Sequence, residues 1–189
     1  MSANAARFAA YPYLQLGLYQ LGWWSCVLGA AHDQPFFGPV VVAGCLLIHL
    51  ACVHELGREL VLMLIAIVVG VVGDGLCSLG GAVSFRGGAH PGPWPPLWMA
   101  VLWPSFAATL RLSLSFLQHR LRLAALLGAL GGPVAYYAGW RLGALRGPHG
   151  LWPFLGAVAC EWAIAMPLLA WQARRLTESS PLRLVPHAA

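Results

Sequence analysis

Long uncharged apolar stretches alternate with short polar segments along almost the whole chain. A helix that crosses about 30 Å of hydrocarbon needs roughly 20 residues. Six stretches approach this length, and each is predicted to be a transmembrane helix: residues 11–31, 36–53, 60–83, 97–117, 121–140 and 151–171. The pattern therefore predicts an all-α fold, in which a polytopic bundle of six transmembrane helices forms a single domain over residues 1–189.

The composition supports a membrane protein. Of the 189 residues, 59% are hydrophobic and only 9% are charged, and the mean hydropathy is +0.71. A water-soluble domain carries about 25% charged residues, because polar groups must cover its surface. The chain has too few charges for such a surface, which excludes an ordinary soluble globule.

The arginines predict the orientation of the bundle. All 11 basic residues are Arg, and the formal net charge is +5. With six spans, the side that holds both termini carries Arg7, Arg58, Arg120, Arg122, Arg174, Arg175 and Arg183, and the opposite side carries Arg86, Arg141 and Arg146. Because cytoplasmic segments are enriched in Arg and Lys, both termini are predicted to be cytoplasmic, with residues 174–189 as a short polar tail. No aromatic and basic patch indicates a nucleic-acid partner.

Three charged residues lie well inside predicted spans: Asp74, Arg111 and Glu161. Each costs roughly 2.5–3.5 kcal/mol at the centre of a transmembrane helix, so such residues usually face the bundle interior and have partners. We therefore expect the three side chains to meet in an intramembrane polar clasp. Both a structural ion-paired cluster and a proton-exchanging functional site are compatible with this pattern.

A second polar group, His49, His54 and Glu55, lies at the predicted cytoplasmic end of the second span. Cys45, His49 and Cys52 also share one helix face, and thiolates and imidazoles are ligands for zinc or copper. A fourth ligand is missing, however, so a packed helix face is the favoured interpretation. We predict no metal and no cofactor.

Small residues mark a close helix contact in the fifth span. Ala124, Gly128 and Gly132 are spaced four apart and fall on one face, where they would allow another helix to approach closely.

Four segments resemble a bacterial inner-membrane family known as domain of unknown function family 2878. They read QLGWWSCVLGA (residues 20–30), WPPLWMAVLWPSFAATL (94–110), LGALGGPVAYYAGWRLGAL (127–145) and EWAIAMPLL (161–169). The resemblance implies a small multi-pass protein of the bacterial inner membrane, and it brings no established reaction or catalytic residue. The resemblance also implies that the gene often lies near genes for cyclopropane-type fatty-acid modification and for other small envelope proteins. This context suggests a role in lipid metabolism or in the response to envelope stress.

The leading functional hypothesis is a lipid-handling or lipid-modifying accessory protein or enzyme, in which a lipid enters sideways beside the Gly-rich fifth span. Whether it catalyses a reaction stays open. One alternative is a small-solute or proton-coupled transporter that uses the two carboxylates, and another is a structural subunit of a membrane complex. The expected partners are membrane lipids and, for the last alternative, other membrane proteins.

Overall fold

The computed structural model of the chain describes residues 3–87 and 92–178, and side chains from residue 11 onward. Residues 179–189, most of the predicted polar tail, lie outside the described residues. The helices are α1 (Ala3–Ala31), α2 (Phe37–Cys52), α3 (Leu56–Leu79), α4 (Leu97–Ala100), α5 (Leu102–Leu110), a 3-10 turn (Ser115–His119), α6 (Leu121–Arg141) and α7 (Leu151–Glu178). The fold is helical, as predicted, apart from two short strands, β1 (Ser84–Phe85) and β2 (Leu145–Arg146).

The predicted fourth span, 97–117, is not one continuous helix, which corrects the prediction. It breaks at Val101, between α4 and α5, and α5 ends at Leu110. Pro104 explains the break, because it has no N–H to donate to the carbonyl of Ala100 and its ring crowds that carbonyl. Leu97–Leu110 is therefore an apolar segment shorter than a full membrane span.

The third helix begins and ends about four residues earlier than predicted. Gly80 and Gly81 follow its last residue, and Gly81 has a φ of +69°. The backbone N–H groups of Gly81 and Ala82 then donate to the carbonyls of Ser78 and Cys77. This left-handed glycine cap closes the helix at Leu79, whereas hydropathy alone would extend it to residue 83.

The helices pack closely where glycines face a neighbouring helix. A Cβ added to Gly38 of α2 would overlap the backbone of Cys26 in α1. Cβ atoms added to Gly128 and Gly132 of α6 would overlap Trp162 of α7. The predicted close contact on the Gly128 and Gly132 face is therefore confirmed, and α7 is the helix that approaches it.

The outer surface of the bundle is apolar. Exposed side chains include Val72 of α3, Val134 of α6 and Ile164 of α7, the last two being 69% exposed. Three helices, Leu56–Leu79, Leu121–Arg141 and Leu151–Glu178, are long and apolar enough to cross a membrane. A soluble monomer rarely exposes such continuous apolar faces, so these helices are typical of a membrane protein.

The two strands join loops at one end of the bundle. They pair in antiparallel fashion, with Ser84 opposite Arg146 and Phe85 opposite Leu145. One further bond runs from the backbone N–H of Arg86 to the carbonyl of Ala144. The segment that follows α3 is thus bonded to the segment that precedes α7.

Candidate functional site

Asp74 is a fully buried carboxylate near the end of α3. Trp103 of α5 donates its indole N–H to Oδ2 at 2.8 Å, and Tyr136 of α6 donates its hydroxyl to Oδ1 at 2.5 Å. The carboxylate therefore joins three helices through two neutral donors. No ion pair to a basic side chain forms at Asp74 among the residues that the structure describes.

Glycines around Asp74 make room for its neighbours. A Cβ at Gly70 would overlap the Trp103 ring, and a Cβ at Gly75 would approach Trp94 to within 2.9 Å. A Cβ at Gly73 would overlap the carboxylate of Glu161. The three glycines thus let two indole rings and a second acidic side chain lie against α3.

Glu161 of α7 is the second carboxylate at this contact. The thiol of Cys77 donates to its Oε2 at 3.5 Å. Its other oxygen, Oε1, is buried and has no hydrogen-bond partner within the described part of the chain. An acceptor left without a donor costs about 1–3 kcal/mol, so this oxygen gains from any donor that reaches it.

Two apolar cavities flank the carboxylates. The first is a groove of about 730 Å³ between α3 and α7, lined by Glu161, Cys77 and mostly aliphatic side chains such as Val72 and Leu168. The second is a cavity of about 200 Å³ that includes Trp103 and the rings and aliphatic side chains of α1, α5, α6 and α7. Both are lined mainly by carbon, as is usual for sites that hold hydrophobic ligands.

Arg111 does not join Asp74 and Glu161, which corrects the predicted three-membered polar clasp. Its Nη1 donates to Glu59 Oε2 and its Nη2 to Glu55 Oε2, both at 2.7 Å. The reason is that α5 ends at Leu110, so Arg111 caps that helix and lies beside the beginning of α3.

The imidazole of His49 extends this ionic group into α2. His49 Nε2 lies 2.9 Å from Glu59 Oε1, and the hydroxyl of Tyr11 lies 3.2 Å from His49 Nδ1. Both His49 and Glu59 are 2% exposed. Polar side chains of α1, α2 and α3 are thereby connected to the end of α5. We call this group the ionic network, and its members are Tyr11, His49, Glu55, Arg58, Glu59 and Arg111.

Glu55 is a partly exposed member of the ionic network. Hydrogen bonds from Arg111 and Arg58 hold the pKa of its carboxyl below the usual value, because both favour the ionised form. Glu55 and His54 line a cavity of about 420 Å³, together with Arg111. The structure thus brings His49, Glu55 and Arg111 into one network, and places His54 beside it.

The candidate metal face does not form a ligand cluster. Cys45 is buried and Cys52 is exposed. Over residues 3–87 and 92–178, no group of three or more His, Cys, Asp or Glu side chains could hold a metal ion.

Sequence reasoning missed the partners of both acidic groups. Glu59 falls one residue outside the predicted third span, so the hydropathy pattern does not mark it as a buried charge. Trp103 is the seventh residue of the predicted span 97–117, and Tyr136 is the fifth from the end of the span 121–140, so each lies about one to two helical turns inside a span. A buried Trp N–H or Tyr O–H usually has a hydrogen-bond acceptor, and that rule is the signal that could have identified them.

The sequence profile of a family described as protein of unknown function (DUF2878) matches residues 12–168. No curated protein and no solved structure matches the chain.

Proposed function

Because the chain belongs to DUF2878, a family of proteins of unknown function, we propose its function from its own residues: it binds a membrane lipid in the groove between α3 and α7. The observation that carries the proposal is the apolar groove of about 730 Å³ with the Glu161 carboxylate in its wall. Lipids combine the two features that this groove accepts, an apolar chain and a polar group that can donate a hydrogen bond.

The groove wall favours an aliphatic ligand. Apart from Glu161 and the two thiols of Cys77 and Cys160, its side chains are Val, Leu, Ile and Ala, with two glycines. An alkyl chain would bury apolar surface there, at about 25 cal/mol per Å² removed from water. A hydroxyl or amino group at the head of that chain could donate a hydrogen bond to Glu161, which lines the groove.

The proposal includes six membrane crossings with both termini in the cytoplasm and, as the resemblance implies, the inner membrane of a bacterium. With Arg111 now at a helix end, one end of the bundle carries Arg58, Arg111, Arg120, Arg122, Arg174 and Arg175, and the other carries Arg86, Arg141 and Arg146. This asymmetry favours the first end as the cytoplasmic one. α2 and Leu97–Leu110 would cross only where the bilayer thins or where neighbouring helices cover their ends.

A transporter is less well supported. Solute transport needs a polar passage to the carboxylates, whereas the two cavities beside Asp74 and Glu161 are lined mainly by apolar side chains. The cavity that Arg111 and Glu55 line does not include Asp74 or Glu161 in its wall.

Lipid content of the purified protein tests the proposal. We would purify the wild type from a bacterial membrane in mild detergent and identify bound lipid by native mass spectrometry. Ala157→Trp places a ring in the groove and should remove the lipid. Gly156→Trp is the matched control, because Gly156 has open space around it and lies outside the groove lining. The Gly156→Trp protein should therefore retain the bound lipid.

Glu161→Gln should retain the alkyl chain and change which head groups are bound. Equal lipid content in the Ala157→Trp and Gly156→Trp proteins would overturn the proposal. A protein that carries no lipid but purifies in a fixed ratio with a second membrane protein would instead favour the structural subunit. A bound lipid whose mass differs from that of the supplied lipid would indicate modification rather than binding alone.

A further inference from the structure

We infer that the ligand of the groove between α3 and α7 is an uncharged lipid alcohol, whose hydroxyl group forms a hydrogen bond with the Glu161 carboxyl group. This inference rests on the proposed function, because it names the chemical class of the lipid that the same groove binds. It places a hydroxyl head group, rather than a phosphate, deep in the groove.

The Glu161 carboxyl group has too few hydrogen-bond donors within the described part of the chain. Its Oε1 has no partner, and its Oε2 accepts only from the thiol of Cys77, which is a weak donor. Asp74 differs, because Trp103 and Tyr136 donate to its two oxygens. A ligand that hydrogen-bonds to Glu161 therefore removes a desolvation cost that the protein leaves in place.

The carboxyl group lies at the groove wall. Glu161 lines the groove from α7, and Gly73 lines it from α3. A Cβ added to Gly73 would overlap Oε1 of Glu161, so this oxygen lies against the α3 side of the wall. The unpartnered oxygen and the apolar groove are thus parts of one site.

The groove offers nothing that would hold a phosphate group. None of the described residues that line it is Arg, Lys or His. Glu161 lies ten residues after Leu151, the first residue of α7, which is about 15 Å along the helix axis. In a hydrocarbon layer about 30 Å thick, a phosphate beside Glu161 would lose its water and meet an acidic side chain instead of a basic one.

A hydroxyl group matches Glu161 in either protonation state of the carboxyl group. It donates to a carboxylate, and it can both donate to and accept from a carboxylic acid. An ammonium group suits only the ionised form and brings a further charge into the hydrocarbon layer, which is unfavourable. The site therefore favours an uncharged alcohol over an amine.

The rest of the groove indicates where the alkyl chain lies. The lining residues of α7 lie between positions 157 and 168, and Glu161 is about one helical turn from the first of them. The remaining apolar wall extends about 10 Å from Glu161 to Leu168. The chain would follow this wall toward the end of α7.

Competition between matched lipids tests the inference. 1,2-Dioleoylglycerol has a free hydroxyl group, and the dioleoyl ester of propane-1,2-diol has a hydrogen atom in its place. Equal amounts of both would be added to the full-length protein in mild detergent, and the bound compounds would be extracted after gel filtration and quantified by mass spectrometry. The Ala157→Trp protein measures the lipid that the micelle alone carries. The alcohol should bind about 3- to 30-fold more tightly, as expected for one hydrogen bond within a membrane protein.

A second pair distinguishes lipids with two chains from lipids with one. Oleyl alcohol and octadec-9-ene differ by the same hydroxyl group, and the pair with the larger preference identifies the number of chains. The absence of a preference in both pairs would overturn the inference. 1,2-Dioleoylphosphatidic acid should bind more weakly than 1,2-dioleoylglycerol, and equal or tighter binding would also overturn it.

Two variants assign the preference to Glu161. Glu161→Leu places an apolar side chain at this position and should bind both members of each pair equally. Glu178→Leu is the matched control, because Glu178 is an exposed carboxylate of the same helix that is paired with Arg174. It should keep the ratio of the wild type. An unchanged preference in Glu161→Leu, or an equal loss in both variants, would contradict the role of Glu161.

The same experiment separates this inference from the lipid groove itself. Equal binding of both members of each pair, above the Ala157→Trp background, would leave the groove as a lipid site and overturn only the hydroxyl contact. Binding of no compound above that background would overturn both proposals. The competition in the wild type needs no change at Glu161, so the inference stays testable even where Glu161→Leu does not fold.

Discussion

The hydroxyl group of Tyr136 donates a 2.5 Å hydrogen bond to a carboxylate that is completely buried. Tyr136→Phe removes this donor and leaves the ring in place. Water cannot replace the donor, because Asp74 is 0% exposed and Tyr136 only 3% exposed. A buried acceptor that loses its donor costs about 1–3 kcal/mol, so the unfolding equilibrium constant should rise about 5- to 150-fold.

The neighbouring residue is a natural control. The hydroxyl of Tyr137 accepts a hydrogen bond from Arg141 at 3.1 Å, and the Tyr137 side chain is 38% exposed. Tyr137→Phe should therefore change the free energy of unfolding by no more than about 0.5 kcal/mol. Both variants would be unfolded with SDS from detergent micelles and followed by circular dichroism. Equal midpoints would refute the claim that the Asp74 contact stabilises the bundle.

Three further predictions use the same unfolding assay. Arg111→Leu removes the guanidinium partner of the buried Glu59 carboxylate, which then keeps only His49, and should cost about 3–5 kcal/mol. Arg174→Leu breaks an exposed pair and should cost about 0.2–1 kcal/mol, and similar losses in the two variants would contradict a buried ionic network. Because the pKa of Glu55 is lowered on folding, Glu55 stabilises the fold above the usual pKa of 4.5, and this stabilisation is lost as the pH falls through the lowered pKa. The unfolding midpoint of the wild type should therefore fall at acid pH, and Glu55→Gln should reduce this fall. Identical plots of midpoint against pH for the two proteins would exclude the effect. Gly70→Ala places a methyl group against the Trp103 indole ring and should lower the free energy of unfolding by about 1–3 kcal/mol. Gly44→Ala is the control, because a Cβ there meets nothing within 4 Å, and it should be neutral or stabilising by up to about 1 kcal/mol. A neutral result at position 70 would contradict the packing of Gly70 against Trp103.

The helical segments could be predicted from hydropathy, because the number of apolar residues in a row is a local property. The ends of two segments could not. The stop of α3 depends on the left-handed conformation of Gly81, and the break at Val101 depends on Pro104 three residues later. A window average of hydropathy gives both glycine and proline intermediate values. It does not register that glycine allows the left-handed turn that ends α3, or that proline fixes φ and lacks a backbone N–H.

The partners of the buried charges were harder to predict. Asp74, Arg111 and Glu161 were grouped because each lay inside a predicted span, and the error in the fourth span placed Arg111 too deep. Once α5 ends at Leu110, Arg111 lies level with Glu59 rather than with Asp74. Depth in a bundle depends on helix boundaries, so an error of a few residues changes which charges can meet.

The small β-ladder limits how the groove can open. Ser84 and Phe85 come just after α3, and Leu145 and Arg146 come just before α7, so their pairing fastens the same ends of the two helices that form the groove. The walls cannot slide apart in parallel while these bonds hold. They can only pivot about the end that the β-ladder holds together. The groove therefore widens most at the opposite end of the two helices, and a long-chain lipid would enter from that side.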